Sequence, residues 1–236
     1  MPTVDVHTHF LPFGVLAAAR HGQGFDGMTA ERDAGQEWLV HRQGFRWPVP
    51  TVFYDLTARL EAVLAAAADL EAPLILHPYY VGTSPGLADF YLTNLIGNPL
   101  ATTVCAARLV FSGTLDELGA LRLVLTHGGG YLPYQIGRLD HGHRVRPEAK
   151  GCARPPSAYL DRFWFDTVTH APGPLRFLAD TVGADHVVYG TDFPFDMAAG
   201  PLAEQLAGTG ISDAGPIAGR NANDLFGLGL PGELPS

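Results

Sequence analysis

The sequence predicts an α/β fold built on parallel strands, and three observations carry that expectation. Short apolar runs at residues 3–6, 74–76, 122–126, 163–166 and 187–189 are followed, over the later part of the chain, by helix-like segments. Such alternation signals βαβ units and a parallel sheet. Four of the runs carry a metal-competent residue at or just past their carboxyl end: the His7/His9 pair, His77, His127 and Asp192. That edge is where parallel folds build their sites. The chain is also 47% apolar, with a mean hydropathy of +0.09, as strands covered on both faces would give.

At 236 residues the chain can bury one sizeable core, and residues 1–236 are expected to form a single domain. Its first run, Val4-Asp5-Val6, closes on His7-Thr8-His9. Residues 14–52 are rich in Gly and polar side chains, carry Trp38, Phe45 and Trp47, and show no clean period. A long irregular insertion of this kind reads as a cap over the metal face. Residues 57–70 are rich in Ala and Leu without a breaker, which predicts a long helix leading into the Pro73 strand. Further helices are expected at 87–95, 101–112, 132–141, 172–182 and 201–206, and the Gly/Pro-rich tail at 228–236 reads as frayed.

Net charge is −9 and the pI about 5.5, which argues against nucleic acid or an anionic membrane surface as partner. Basic residues are nonetheless dense locally at Arg138, Arg144, Arg146 and Lys150, which suits a small anionic substrate. Cys105 and Cys152 are the only cysteines and form no CxxC pair. With no leader-like segment at the N-terminus they read as reduced thiols of a cytoplasmic protein. Every apolar stretch is broken by Gly, Pro or charge well short of a membrane span.

In an extended strand, residues two apart face the same side. His7 and His9 therefore point one way and can hold a borderline metal at two corners. His77 and Asp192 occupy equivalent strand ends and complete the expected ligand set. Any one of these residues alone would read as a strand-end side chain bonded to backbone; their shared placement is what argues for a metalloenzyme. His127 heads Thr126-His127-Gly128-Gly129-Gly130-Tyr131, where glycines let the backbone approach a ligand closely. It is either a fifth ligand or, the preferred role, a general acid/base. Asp196 competes with Asp192 but reads as a capping or surface residue. Arg46, flanked by Phe45 and Trp47, together with Arg138 and Arg146, are candidates for gripping a substrate carboxylate, because planar guanidinium pairs with it bidentately. His21, His41, His141, His143, His170 and His186 read as structural or surface residues.

With these residues assembled, the chain resembles the amidohydrolase superfamily. Within it, the chain looks like the metal-dependent nonoxidative decarboxylases related to aminocarboxymuconate-semialdehyde decarboxylase. DVHTHFLP, Phe45-Arg46, residues 74–78, THGGGYLP, GRLDHGHRVRP, GTDFPF and residues 219–227 carry the resemblance over nearly the whole chain. It implies that His7, His9, His77 and Asp192 bind one Zn2+ with a water, Mn2+ being the other metal such a mixed set accepts. It implies that His127 handles that water's proton, with Asp192 as the catalytic carboxylate beside it. It further implies that Arg46 and, from a neighbouring subunit of a homodimer, Arg138 and Arg146 hold the carboxylate of a small unsaturated or aromatic acid.

The resemblance also implies a TIM-barrel-like (β/α) fold, and here the chain departs from it. Full barrels of the family are longer by on the order of a hundred residues. The second to fourth strand–helix units have no counterpart, and the join falls near 60–63. The five remaining strands, in the order five-six-seven-eight-one, would be contiguous and would keep every expected ligand. They form either an open arc or a sheet whose edges pair with another copy. Two other activities fit the same residues: hydrolysis of a lactone or amide, and an inactive chain that binds a full-length homologue.

Overall fold

The computed structural model describes residues 13–24, 27–50, 55–78 and 86–229. The chain divides into two compact units, residues 1–70 and residues 71–236.

The first unit holds helix α1 (Phe13–Arg20), strands β1 (Thr29–Asp33), β2 (Gln36–Val40) and β3 (Arg46–Pro48), and helix α2 (Leu56–Asp69). The strands form an antiparallel meander in the order β1-β2-β3, with Asp33 opposite Gln36 and Val40 opposite Arg46. Ala34 and Gly35 turn the first hairpin with φ of 48° and 83°, the left-handed pair that a two-residue connection between twisted strands demands. Leu16, Ala19, Leu39 and Val49 form the core of this layer, with Ala30 packed on it. The described part of residues 14–52, expected to be irregular, is therefore a helix and a regular meander. The alternation on β2 is masked because one inward position is Glu37, which is buried and held by Arg20 through two 2.7 Å bonds. The Arg20 hydrogen bond, helped by its charge, draws the Glu37 carboxyl below its usual range against the pull of burial. Asp55 caps α2 by accepting the amides of Thr57 and Ala58. The join expected near 60–63 lies inside this continuous helix.

The second unit is a parallel sheet of β4 (Leu74–Leu76), β5 (Leu123–Leu125), β6 (Phe163–Asp166) and β7 (Val187–Val188), in that order. The register sets Leu74 beside Leu123, Leu123 beside Phe163, and Phe165 beside Val187. The expected strand at residues 3–6 lies outside the described residues. Between and after the strands run α3 (Asn98–Phe111), α4 (Thr114–Glu117), α5 (Leu132–Val145), α6 (Pro172–Val182), α7 (Leu202–Leu206) and α8 (Asn221–Phe226). All three residues of β5 are buried, and Leu123, Leu125, Phe163, Phe165 and Val187 are nearly sealed from solvent. That is the burial of a sheet covered on both faces. Asn221 fastens α8 to the sheet, donating to the carbonyls of Ala184 and Val187.

The helix expected at 87–95 forms differently. Phe90 and Tyr91 adopt φ of 54° and 59°, outside the helical region, and a wide turn at Thr93–Gly97 leads into α3. Pro99 does not end a helix there; it sits in the first turn of α3, where its missing N–H leaves no bond unmade.

Candidate metal centre

His77 stands one residue past β4 and His127 two past β5; Asp192 follows β7 on a loop. All three reach the carboxyl edge of the parallel sheet. His77 Nε2 lies 3.3 Å from Asp192 Oδ1, and His127 Nε2 lies 3.6 Å from Asp192 Oδ2. The two imidazole rings meet edge to face with centroids 5.1 Å apart. One donor atom from each of the three residues lies within 4.8 Å of the others. Donors held about 2.1 Å from a tetrahedral ion are roughly 3.4 Å apart, so this set needs little adjustment to close on a divalent cation. Two imidazoles and a carboxylate suit zinc or manganese chemically. His7 and His9 lie outside the described residues.

The local backbone explains how His127 gets there. His127 itself has φ of 57°, and Gly129 and Gly130 continue in the left-handed region at 75° and 62°. A Cβ on Gly129 would sit 2.5 Å from the Phe165 ring, and one on Gly130 would sit 2.2 Å from the Pro99 carbonyl oxygen. The turn is thus threaded through space that admits no side chain. Asp166, at the end of β6, clamps it from beneath. Its Oδ2 accepts the His127 amide at 2.9 Å, while its Oδ1 accepts Gly128 at 2.7 Å and Val168 at 3.0 Å. The carboxyl is buried, which pushes its pKa up while the three amides and His127 oppose the shift. Asp192 has φ of 60°, and its loop is tied down at Gly190, whose carbonyl accepts Thr167 Oγ1 and Gln205 Nε2. Asp196 is exposed and stands outside the cluster.

A cavity of about 600 Å³ opens from the cluster, with His127 and Asp192 in its wall. Its lining is mostly apolar and aromatic, including Tyr131, Tyr134, Phe177, Leu178 and Met197. No Arg or Lys lines it among the described residues. Arg46, on β3 in the first unit, pairs with Asp33 at 3.3 Å and lies over the Trp38 ring at 4.4 Å. Arg138 is exposed on α5, and Arg146, just past that helix, is exposed and paired with Glu148 at 3.0 Å. The structure thus brings together His77, His127 and Asp192 and, within the second unit, leaves Arg138 and Arg146 outside that group.

Two residues of the site escaped the sequence reading. Asp166 ends an expected strand, the very position that singled out the other ligands. His170, read as structural or surface, lines the cavity. Its signal was a histidine between a strand end and the Pro172 start of a helix. Other histidines read as structural do bond to backbone: His143 to the Cys152 carbonyl and His186 to that of Phe163.

A family model for amidohydrolase matches residues 16–228. The 2-amino-3-carboxymuconate-6-semialdehyde decarboxylase of Dictyostelium discoideum is 30% identical over 164 residues, covering 67% of this chain and 46% of its own length. The gamma-resorcylate decarboxylase of Polaromonas sp. strain JS666 is 31% identical over 202 residues, covering 79% of this chain and 59% of its own. A solved dihydroxybenzoic acid decarboxylase from Polaromonas sp. JS666, with bound manganese and the inhibitor 2-nitroresorcinol, matches with a TM-score of 0.59 and 25% identity over 78% of this chain and 57% of that one. The chain therefore spans about half the length of the relatives it matches. Its parallel sheet is an incomplete barrel of the TIM type. Sequence match, fold and the strand-end cluster agree: the chain belongs to the amidohydrolase family.

Proposed function

We propose that this chain is a metal-dependent nonoxidative decarboxylase of a small aromatic or unsaturated carboxylic acid. The observation that carries the reading is the convergence of His77, His127 and Asp192 at the mouth of a mostly apolar cavity with ample room for an aromatic ring. The relatives support it through their own activities, and the manganese in one of their structures supports a divalent ion here. His77 and Asp192 would hold that ion, zinc or manganese, with His7 and His9 offered by the sequence as further ligands. When bound, the ion supplies Lewis-acid polarisation of an oxygen or nitrogen substituent next to the carboxylate.

The remaining work falls to the chain. The apolar and aromatic cavity walls would pack on a bound ring and shield its faces from water. His127, fixed at its backbone by Asp166 and facing the Asp192 carboxylate, delivers a proton to the carbon that bears the carboxylate. The bond to the carboxylate carbon then breaks, its electron pair returns to the unsaturated system, and carbon dioxide leaves. His127 recovers its proton from solvent. The substrate gains one proton and loses carbon dioxide without net oxidation, so no redox cofactor enters. In this reading the exposed Arg138 and Arg146 are offered to a second copy in a homodimer, and the two free thiols suit the cytoplasm. Among the described residues no helix is long and apolar enough to cross a membrane.

The test is carbon dioxide release from a panel of hydroxybenzoates and unsaturated acids by the metal-loaded chain, with His127→Gln beside it. Release should fall by about 10²- to 10⁴-fold in the variant while metal content holds. Ring opening or amide cleavage without carbon dioxide would replace decarboxylation by hydrolysis. The chain's half-length match to its relatives favours a second reading, an inactive binding partner of a full-length homologue; little bound metal and no turnover would support it.

A further inference from the structure

The cavity that opens from the metal cluster is short of cationic groups able to receive an anion; its described neutral donors are Asn94, Asn98, Tyr131, Tyr134 and Thr169. Its described lining holds no Arg or Lys, and its walls are dominated by aromatic and aliphatic side chains. The amino end of α6 borders it through Gly173 and Pro174. Such a helix end normally presents a row of free amides. Here Pro172 and Pro174 have none to give. One nitrogen-bearing ring remains at that end of the cavity. His170 lies two residues before α6, lines the cavity, and is exposed. Its ring takes no hydrogen-bond partner among the described residues. Its backbone is held at φ of 59°, a conformation that a residue other than Gly rarely adopts and that tends to persist where a site needs the side chain placed.

We infer that His170 is the substrate-carboxylate donor within the chain's own walls, and that it selects acids over their neutral analogues. The assignment rests on the decarboxylase reading for its substrate class, but binding tests it independently of turnover. An imidazole N–H in an apolar wall gives one strong, oriented bond to a carboxylate oxygen. With a single imidazole outside the metal cluster in the described lining, a ring bearing one carboxylate is favoured over an acid with two, whose second charge would meet only neutral side chains. His127 and Asp192, which border the same cavity, are left free for the reaction itself.

Calorimetric titration of the metal-loaded full chain with benzoate and with benzamide tests the assignment, using His170→Gly and His170→Asn. Gly adopts the required φ freely and Asn more readily than most residues, so both variants keep the loop. His170→Gly should weaken benzoate roughly 10- to 100-fold and move benzamide by less than about twofold. His170→Asn, which retains an N–H donor, should recover most of the benzoate affinity. Equal losses for the two ligands, an unchanged benzoate affinity in His170→Gly, or no benzoate binding by the parent chain would each overturn the assignment. Carbon dioxide release is measured alongside. A parent chain that binds benzoate through His170 yet decarboxylates no acid overturns the proposed activity and upholds the binding role.

Discussion

Replacing Asp166 by Asn tests whether the carboxylate beneath the His127 turn organises the site. The carboxylate accepts three amides, two on Oδ1 and one on Oδ2. In Asp166→Asn the carbonyl oxygen can keep Gly128 and Val168, but the amide nitrogen then faces the His127 N–H, donor against donor. The loss is one bond to a charged acceptor, about 1.5–3 kcal/mol, plus weakening of the other two. Relief from burying a charge, the cause of the raised Asp166 pKa, returns part of this. A net loss of about 2 kcal/mol follows, or roughly 4–8 °C in melting temperature for a chain of this size. The variant should also release carbon dioxide about 10- to 100-fold more slowly, as when a supporting partner of a metal-site residue is lost. Thermal unfolding followed by circular dichroism and a carbon dioxide assay read the two effects. A melt within about 1 °C of the parent, with an unchanged rate, would show that the turn holds without Asp166.

Three further outcomes are expected. Asp192→Ala should remove most of the bound metal in elemental analysis, since the cluster would then keep two imidazoles among its described members; full metal content would place the ion elsewhere. Gly130→Ala, at φ of 62° and with a Cβ 2.2 Å from the Pro99 carbonyl oxygen, should cost about 2–4 kcal/mol in denaturant unfolding; a loss below about 1 kcal/mol would mean that the turn relaxes. Because folding lowers the Glu37 pKa below its ordinary 4.5, its contribution is intact above that pH and is lost as pH falls through the lower folded value. Glu37→Gln should therefore flatten this part of the acid dependence of stability, and a variant as acid-sensitive as the parent would assign that dependence to other groups.

What the sequence made legible was the apolar framework and the residues at its ends. The strands at 74–76 and 163–166 and the helix at 172–182 form as read, because uninterrupted apolar runs and Pro at a helix start act locally. The meander was hidden since its alternation depends on Glu37 meeting Arg20, a partner seventeen residues away. The turn at Phe90 and Tyr91 was hidden for a related reason: nothing in two aromatic residues announces positive φ. Within the site, strand-end logic reached His77, His127 and Asp192 but stopped short of Asp166, whose carboxylate faces a neighbouring turn and not the cluster. His170 could be found only once the cavity gave it a surface to belong to.

β4 forms one margin of the sheet among the described residues, and Ile75 on it is 59% exposed. A bare margin invites a foreign strand, yet this one is three residues long and flanked by Pro73 and Pro78. Leu74 and Leu76 bond toward β5, so Pro73 falls on the open side with Ile75 and has no amide hydrogen to offer, and a docking strand finds the first rung of its ladder missing. The described margin thus carries its own stop, and resistance to self-association at high concentration becomes a property of one imino acid and of how soon the strand ends.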